Sequence, residues 1–380
     1  MWSALAPLVL ALLAPPATRP ETAPAAAPCE GVVECQKACD AGESRGCTNL
    51  GVLYANGAGV TPDKTRAAQL FGKACDSGDE RGCNNLGTLY ASGEGVVQDT
   101  ARAAQLFQNA CDSGDAGGCH NLGSMYENGK AVAQDRVRAA QLFEKSCDRG
   151  VAAACFNLGV VYDAGRGVER DVARAAQLFQ KACSGGDVGG CYNLGSMYEN
   201  GEGVVQDKAK AVQAFQKACD GGELKGCLNL GTRYATGVGL ARDTAMAFKP
   251  YQKACDGGEL KGCLNLGTLY ASGKGVTQEK AKAEPPYQKA CDGGEPKACL
   301  NLGALYAAGE GVAQDTARAA QLFQKACDGG ELNGCLNLGT LYVTGVAQDR
   351  ARAAQLYKKA CDDGLTDGCQ ALEALRRVSP

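Results

Sequence analysis

The sequence predicts an all-α solenoid of about nine helical hairpins, with a partial repeat at each end. Three observations carry this expectation. Apolar residues recur at helical spacing in two alternating segments, no segment alternates as a strand does, and the whole pattern returns every 36 residues. A hairpin of this size cannot bury its apolar faces alone, so neighbours must stack.

The chain opens on an apolar stretch, residues 4–14 (ALAPLVLALLA), too short to span a bilayer. An Ala/Pro-rich run follows as far as Pro28. Residues 1–28 therefore read as a signal peptide and flexible leader, although no Lys or Arg precedes the apolar stretch. Residues 29–380 form the repeat region.

Residues 83–118 show one repeat. Leu86, Leu89 and Tyr90 share one face of a first helix, expected from about Gly82 to Ala91. Gly93 and Gly95 end it and supply positive-φ positions for the connection. Asp99 or Thr100 caps a second helix, whose buried side carries Ala103, Ala104, Leu106, Phe107, Ala110 and Cys111. Asp112 to Gly118 is expected as a turn into the next repeat. A glycine recurs in the middle of each first helix, from Gly51 through Gly123 to Gly339. Such a glycine costs about 1 kcal/mol against Ala, and close approach of the paired helix accounts for it. A tyrosine three residues later (Tyr54 to Tyr342) and an aromatic residue on the second helix (Phe71 to Tyr357) fill the space beside it. The chain starts with a helix of the second type around Cys35 and Cys39. It ends with one of the first type at Cys369–Arg377, where Arg376, Arg377 and Pro380 form a polar end.

Twenty of the 22 cysteines form ten pairs, each separated by seven residues: Cys39/Cys47, Cys75/Cys83, Cys111/Cys119, Cys147/Cys155, Cys183/Cys191, Cys219/Cys227, Cys255/Cys263, Cys291/Cys299, Cys327/Cys335 and Cys361/Cys369. A second helix antiparallel to the first ends near where the first began, and the short turn brings the next first helix back to the same edge. That geometry favours disulfides within these pairs. Bridging inside a hairpin, as Cys47 to Cys75, is also feasible but leaves Cys39 and Cys369 without partners. Cys29 and Cys35 remain, to tie down the N-terminal end. A loop of this size contributes roughly 2–3 kcal/mol. Such a cysteine count persists only in an oxidising compartment, so with the leader it predicts a secreted or periplasmic protein.

Other chemistries find little support. With 39 basic and 42 acidic residues and no basic stripe, nucleic acid is not expected as a partner. No segment after the leader reads as a membrane helix. No Cys-x-x-Cys occurs and His120 is the one histidine, so neither a metal site nor a cofactor is expected.

The Leu-Gly-x-x-Tyr spacing followed by Ala-x-x-x-Phe-x-x-Ala resembles the tetratricopeptide pattern with a longer connection. The 36-residue period and the Gly-x-Gly-Val-x-x-Asp connection (Gly93, Gly95, Val96, Asp99) resemble the Sel-one-like repeat family, and the paired cysteines resemble its disulfide-rich branch, the Helicobacter cysteine-rich proteins. The resemblance covers residues 35–377. It implies an exported, right-handed α/α solenoid and two rival functions. One is a scaffold binding a protein or extended peptide on its concave face. The other is binding or slow hydrolysis of a β-lactam or peptidoglycan-like small molecule. For the latter the residues offer no recognisable machinery: there is no Ser-x-x-Lys, and one imidazole serves neither a Ser-His-Asp triad nor a zinc β-lactamase. No catalytic residue is assigned.

First helices line the inner curve of related solenoids, so their outward positions are the binding candidates. Asn121, Asn157, Asn193 and Asn229 recur just before the Leu-Gly, with amides able to clamp a peptide backbone or to form a structural ladder. Glu127, Asp163 and Glu199 form an acidic set in three consecutive repeats. The residue after each first-helix cysteine turns from polar (Thr48, Asn84, His120) to apolar (Phe156, Tyr192, Leu228 to Leu336). That row reads either as packing between repeats or as a groove with an acidic middle, suited to basic and apolar side chains. Residues 227–290 break the pattern: Arg233 replaces an apolar core residue, Phe248 replaces an Ala, and Pro250, Pro285 and Pro286 enter second helices beside Glu284. Proline there costs about 3 kcal/mol or forces a shorter helix. The clustering suggests a bend that opens a pocket around Arg233.

Overall fold

The computed structural model describes residues 29–275, 278–345 and 349–377. The expected signal peptide and leader, and Pro380, lie outside the described residues. The described chain falls into two compact units divided between Asp99 and Thr100, and every regular element in them is an α-helix. The first unit holds α1 (Val32–Asp40), α2 (Ser44–Asn56), α3 (Lys64–Asp76) and α4 (Glu80–Ser92). The second opens with α5 (Thr100–Ser113), α6 (Ala116–Asn128), α7 (Arg136–Asp148), α8 (Ala152–Ala164), α9 (Val172–Ser184), α10 (Val188–Asn200), α11 (Lys208–Asp220) and α12 (Leu224–Thr236). It continues through α13 (Phe248–Asp256), α14 (Leu260–Ser272), α15 (Lys280–Asp292), α16 (Pro296–Ala308), α17 (Thr316–Asp328), α18 (Leu332–Thr344), α19 (Arg350–Asp362) and α20 (Thr366–Arg377). Within each unit every helix packs on the next, the architecture of an all-α solenoid.

Side-chain caps set the helix starts. Apart from α1, α13 and α15, which follow Gly31, Ala247 and Glu279, odd-numbered helices begin after the Asp that closes the connection: Asp63, Asp171 and Asp315 accept from the backbone N–H three residues on, at 2.8–2.9 Å. At Asp207 the Lys210 N–H is the leading cause of a lowered carboxyl pKa. Even-numbered helices start earlier than the apolar spacing suggests. Asp79 accepts from Gly82 N–H at 2.9 Å and Asp115 from Gly118 N–H at 2.5 Å. The expected turn through Gly118 therefore ends at Asp115, and the glycines after it are already helical.

The glycine inside each even helix meets an aromatic ring. A Cβ at Gly159 would lie 2.7 Å from the Phe179 ring, at Gly195 2.7 Å from Phe215, and at Gly267 2.6 Å from Tyr287. Those rings are buried. The alanines of the odd helices perform a second close approach. A Cβ at Gly190 would sit 2.6 Å from Ala182 Cβ, and at Gly226 2.7 Å from Ala218 Cβ. This contact presses the end of one odd helix against the start of the next even helix, and it brings the adjacent cysteines to bridging distance.

Eleven disulfides result, with no free cysteine among the described residues. Cys29–Cys35 ties residue 29 to α1. In the first unit Cys39–Cys47 joins α1 to α2, and Cys75–Cys83 joins α3 to α4. In the second unit the same link between an odd helix and its successor is made by Cys111–Cys119, Cys147–Cys155, Cys183–Cys191 and Cys219–Cys227. It continues through Cys255–Cys263, Cys291–Cys299, Cys327–Cys335 and Cys361–Cys369. Cα–Cα distances run from 4.4 to 5.1 Å, within the range a disulfide spans. In every bridge but the last the second cysteine is buried, and bridged sulfur offers no thiolate nucleophile. A lysine from the following odd helix then caps the exposed carbonyl of the first cysteine. Lys73 reaches Cys39 at 2.8 Å, Lys145 reaches Cys111 at 3.0 Å and Lys289 reaches Cys255 at 2.6 Å.

The proline repeats take both routes open to them. α13 is cut to nine residues, with Pro250 in its first turn, where no intrahelical N–H bond is lost. α15 runs its full thirteen residues through Pro285 and Pro286.

Replacing Cys183 and Cys191 together by Ser should lower the unfolding free energy by roughly 2–3 kcal/mol, measured by urea titration, without loss of helical ellipticity. Ala131 occupies the place of the second connection glycine and is the one non-glycine at positive φ (60°) among the described residues. Ala131→Gly should therefore stabilise the protein by about 1 kcal/mol in the same titration.

Candidate functional site

The even-helix face of α6, α8, α10 and α12 carries all eight candidate residues. Within it the asparagine row divides according to the aromatic residue beneath. In α13 and α15 that residue is Tyr. The Tyr251 hydroxyl donates to Thr232 Oγ1 at 3.3 Å and is bonded to the Asn265 amide, and Tyr287 does the same with Thr268 (3.2 Å) and Asn301. Burial pushes both phenols up in pKa, the hydrogen bonds opposing it. Asn265 and Asn301 are thus rungs of a structural ladder. In the earlier repeats the aromatic residue is Phe and offers no hydroxyl. Asn193 and Asn229, half-buried over Phe179 and Phe215, have no side-chain hydrogen bond to another described residue. Asn157 Nδ2 lies 3.4 Å from His120 Nε2, and Asn121 is engaged as well.

Each member of the acidic set has an arginine partner within the fold. Glu127 lies 3.2 Å from Arg166 and 4.0 Å from Arg136, Asp163 lies 3.6 Å from Arg170, and Glu199 pairs with Arg233. Arg166 and Arg170 stand in the connection after α8, outside the helical periodicity that revealed the acids. Glu127, Asn157 and Arg166 line a cavity of about 230 Å³ with Ser124 and Phe143. Glu127 Oε2 and Arg166 Nε are buried there with no partner among the described residues, as is Arg233 Nε beside α10.

The row after the cysteines is packing. His120 meets Phe143 edge-on at 5.9 Å, Phe156 lies 5.9 Å from Phe179, and Tyr192 lies 6.0 Å from Phe215. Leu228, Leu264 and Leu300 are half-buried against the core. The expected apolar half of a groove is therefore part of the interface between helices. The expected pocket around Arg233 is displaced as well. Arg233 turns to Glu199, whereas its neighbour Tyr234, about 100° further round α12, lines a cavity with Phe248 and Pro250.

Among the described residues no group of His, Cys, Asp or Glu is placed to hold a metal ion, and no helix is long and apolar enough to cross a membrane.

The Sel1 repeat family model matches nine segments: residues 44–79, 81–115, 116–151, 152–187, 188–223, 224–259, 260–295, 296–331 and 332–365. Among solved structures, a protective antigen of uropathogenic Escherichia coli with an SLR fold is 27% identical at a TM-score of 0.59, over 92% of this chain and 83% of that one. A Sel1 repeat protein from Oxalobacter formigenes is 26% identical at a TM-score of 0.56, over 81% and 89%. Helicobacter pylori cysteine rich protein B is 32% identical over 36% of this chain and 97% of its own, at a TM-score of 0.29. No curated protein sequence matches the chain.

Burial lowers the pKa of His120 below its ordinary value. The unfolded chain therefore takes up a proton first as pH falls through the unperturbed value of about 6.5. Stability from this site is complete above that pH and declines below it. Comparing chemical denaturation at pH 7.5 and pH 5, the wild type should lose more stability than His120→Asn.

Proposed function

The chain belongs to the Sel1 repeat family, and on that footing we propose that it is a disulfide-stapled scaffold holding an extended peptide, or an extended segment of a protein, across the even-helix face of α6 to α12. The observation that carries this reading is the pair of amides without a hydrogen bond to another described residue, Asn193 and Asn229, at the same register on the successive even helices α10 and α12. An amide offers donors and an acceptor together, matching the alternating groups of a peptide backbone. Because the acids nearby are already paired with arginines, recognition rests on the partner's main chain and uncharged side chains rather than on its basic residues. The eleven bridges and the apolar stretch at residues 4–14 support export, to the periplasm or the medium.

Cross-linking capture from the native source supplies the partner for the test. The double variant Asn193→Ala/Asn229→Ala should weaken its binding about thirtyfold, the effect of losing two hydrogen bonds worth about 1 kcal/mol each, with the melting temperature unchanged. Asn265→Ala, which breaks a ladder rung, should do the reverse: lower melting temperature and full affinity. Unchanged affinity in the double variant would remove the reading.

A further inference from the structure

A cavity of about 410 Å³ lies between α11, α12 and α13. The same register positions one repeat earlier, between α9, α10 and α11, enclose about 210 Å³. Local sequence changes account for the difference. In five repeats a cation from the start of an odd helix covers the tyrosine of the preceding even helix: Arg138 over Tyr126 at 4.6 Å, Arg174 over Tyr162 at 5.1 Å, Lys210 over Tyr198 at 5.4 Å, Arg318 over Tyr306 at 4.3 Å and Arg352 over Tyr342 at 5.0 Å. Where that register reaches Tyr234, the residue is Met246, 52% exposed. Residues 244–247 form turns rather than the first turn of a helix, and Pro250 stands where α11 has Ala214. Phe248 leans edge-on toward Tyr270 at 5.5 Å, away from full closure of the gap.

The walls are therefore apolar: Leu230, Tyr234, Met246, Phe248 and Pro250. Of the charged groups there, Lys253 is bonded to the Cys219 and Asp220 carbonyls, and the Asp220 carboxylate accepts from Gln216. The ammonium of exposed Lys249 has no ion pair among the described residues. We propose that this cavity binds a small amphipathic carboxylate, its apolar body against these walls and its carboxylate at Lys249. The volume falls in the range of small-molecule pockets, and methionine adapts to varied guests. The positive lining disfavours a cationic guest.

The test is calorimetric titration of the full oxidised chain with sodium octanoate, octanol and octyltrimethylammonium. Octanoate should bind one molecule per chain, and the ammonium compound more weakly. Lys249→Glu should weaken octanoate binding about fivefold, as expected for an exposed charge pair. Met246→Arg, which restores the cation over Tyr234, should abolish it with helical ellipticity retained. No octanoate binding by the wild type, equal affinity for all three compounds, or unchanged binding in Met246→Arg overturns the proposal. Should Met246→Arg not fold, Lys249→Glu decides alone, and unaltered octanoate affinity overturns it.

Discussion

An aromatic ring can rest on the backbone of a neighbouring helix only where that backbone carries no side chain. The pairing of Gly159 with Phe179, Gly195 with Phe215 and Gly267 with Tyr287 is this constraint repeated. A mid-helix glycine costs about 1 kcal/mol, whereas burying a large apolar side chain contributes about 1.5–3 kcal/mol. Burial therefore wins in each repeat. The spacing it sets lets Ala182 meet Gly190 and Ala218 meet Gly226, and only then are the flanking cysteines close enough to bridge.

Against so regular a frame, single exchanges in the buried layer alter the surface above it. Phe215 and Tyr251 occupy equivalent positions, and one oxygen atom separates them. With the oxygen, the asparagine above is bonded to the core; in the repeats of Phe179 and Phe215, which lack it, Asn193 and Asn229 have no side-chain hydrogen bond to another described residue. The hydrogen bonding of the asparagine row thus depends on what lies beneath it. The Tyr234 side of α12 shows the same logic, since the cavity there, where the cation over Tyr234 is lost and α13 is a turn shorter, is about 410 Å³, against about 210 Å³ one repeat earlier.

The fold was legible because the period is strict: the hairpins follow from the spacing of Leu86, Tyr90 and Phe107 and their counterparts. Helix starts were less so, because Asp115 caps its helix before any apolar residue announces it. The acidic row was visible, but its arginine partners were not. Arg166 and Arg170 come from a connection whose path no periodicity describes, and Arg233 reaches back one repeat to Glu199. The broken repeats pointed to the right region and the wrong residue. A step of about 100° per helical residue separates Arg233 from Tyr234 and sends them to different neighbours. Met246 carried a readable signal, a methionine in a column held elsewhere by Arg138, Arg174 and Lys210.

Ten of the eleven bridges close between residues only eight apart, and the other between residues six apart. None reaches across the length of the chain. Each can form as soon as its own short segment meets an oxidising environment, before later cysteines compete for it. The same locality means that tension applied to the two ends is not borne by sulfur. A pulled molecule would still lengthen hairpin by hairpin, each retaining a small knot of covalently closed turn.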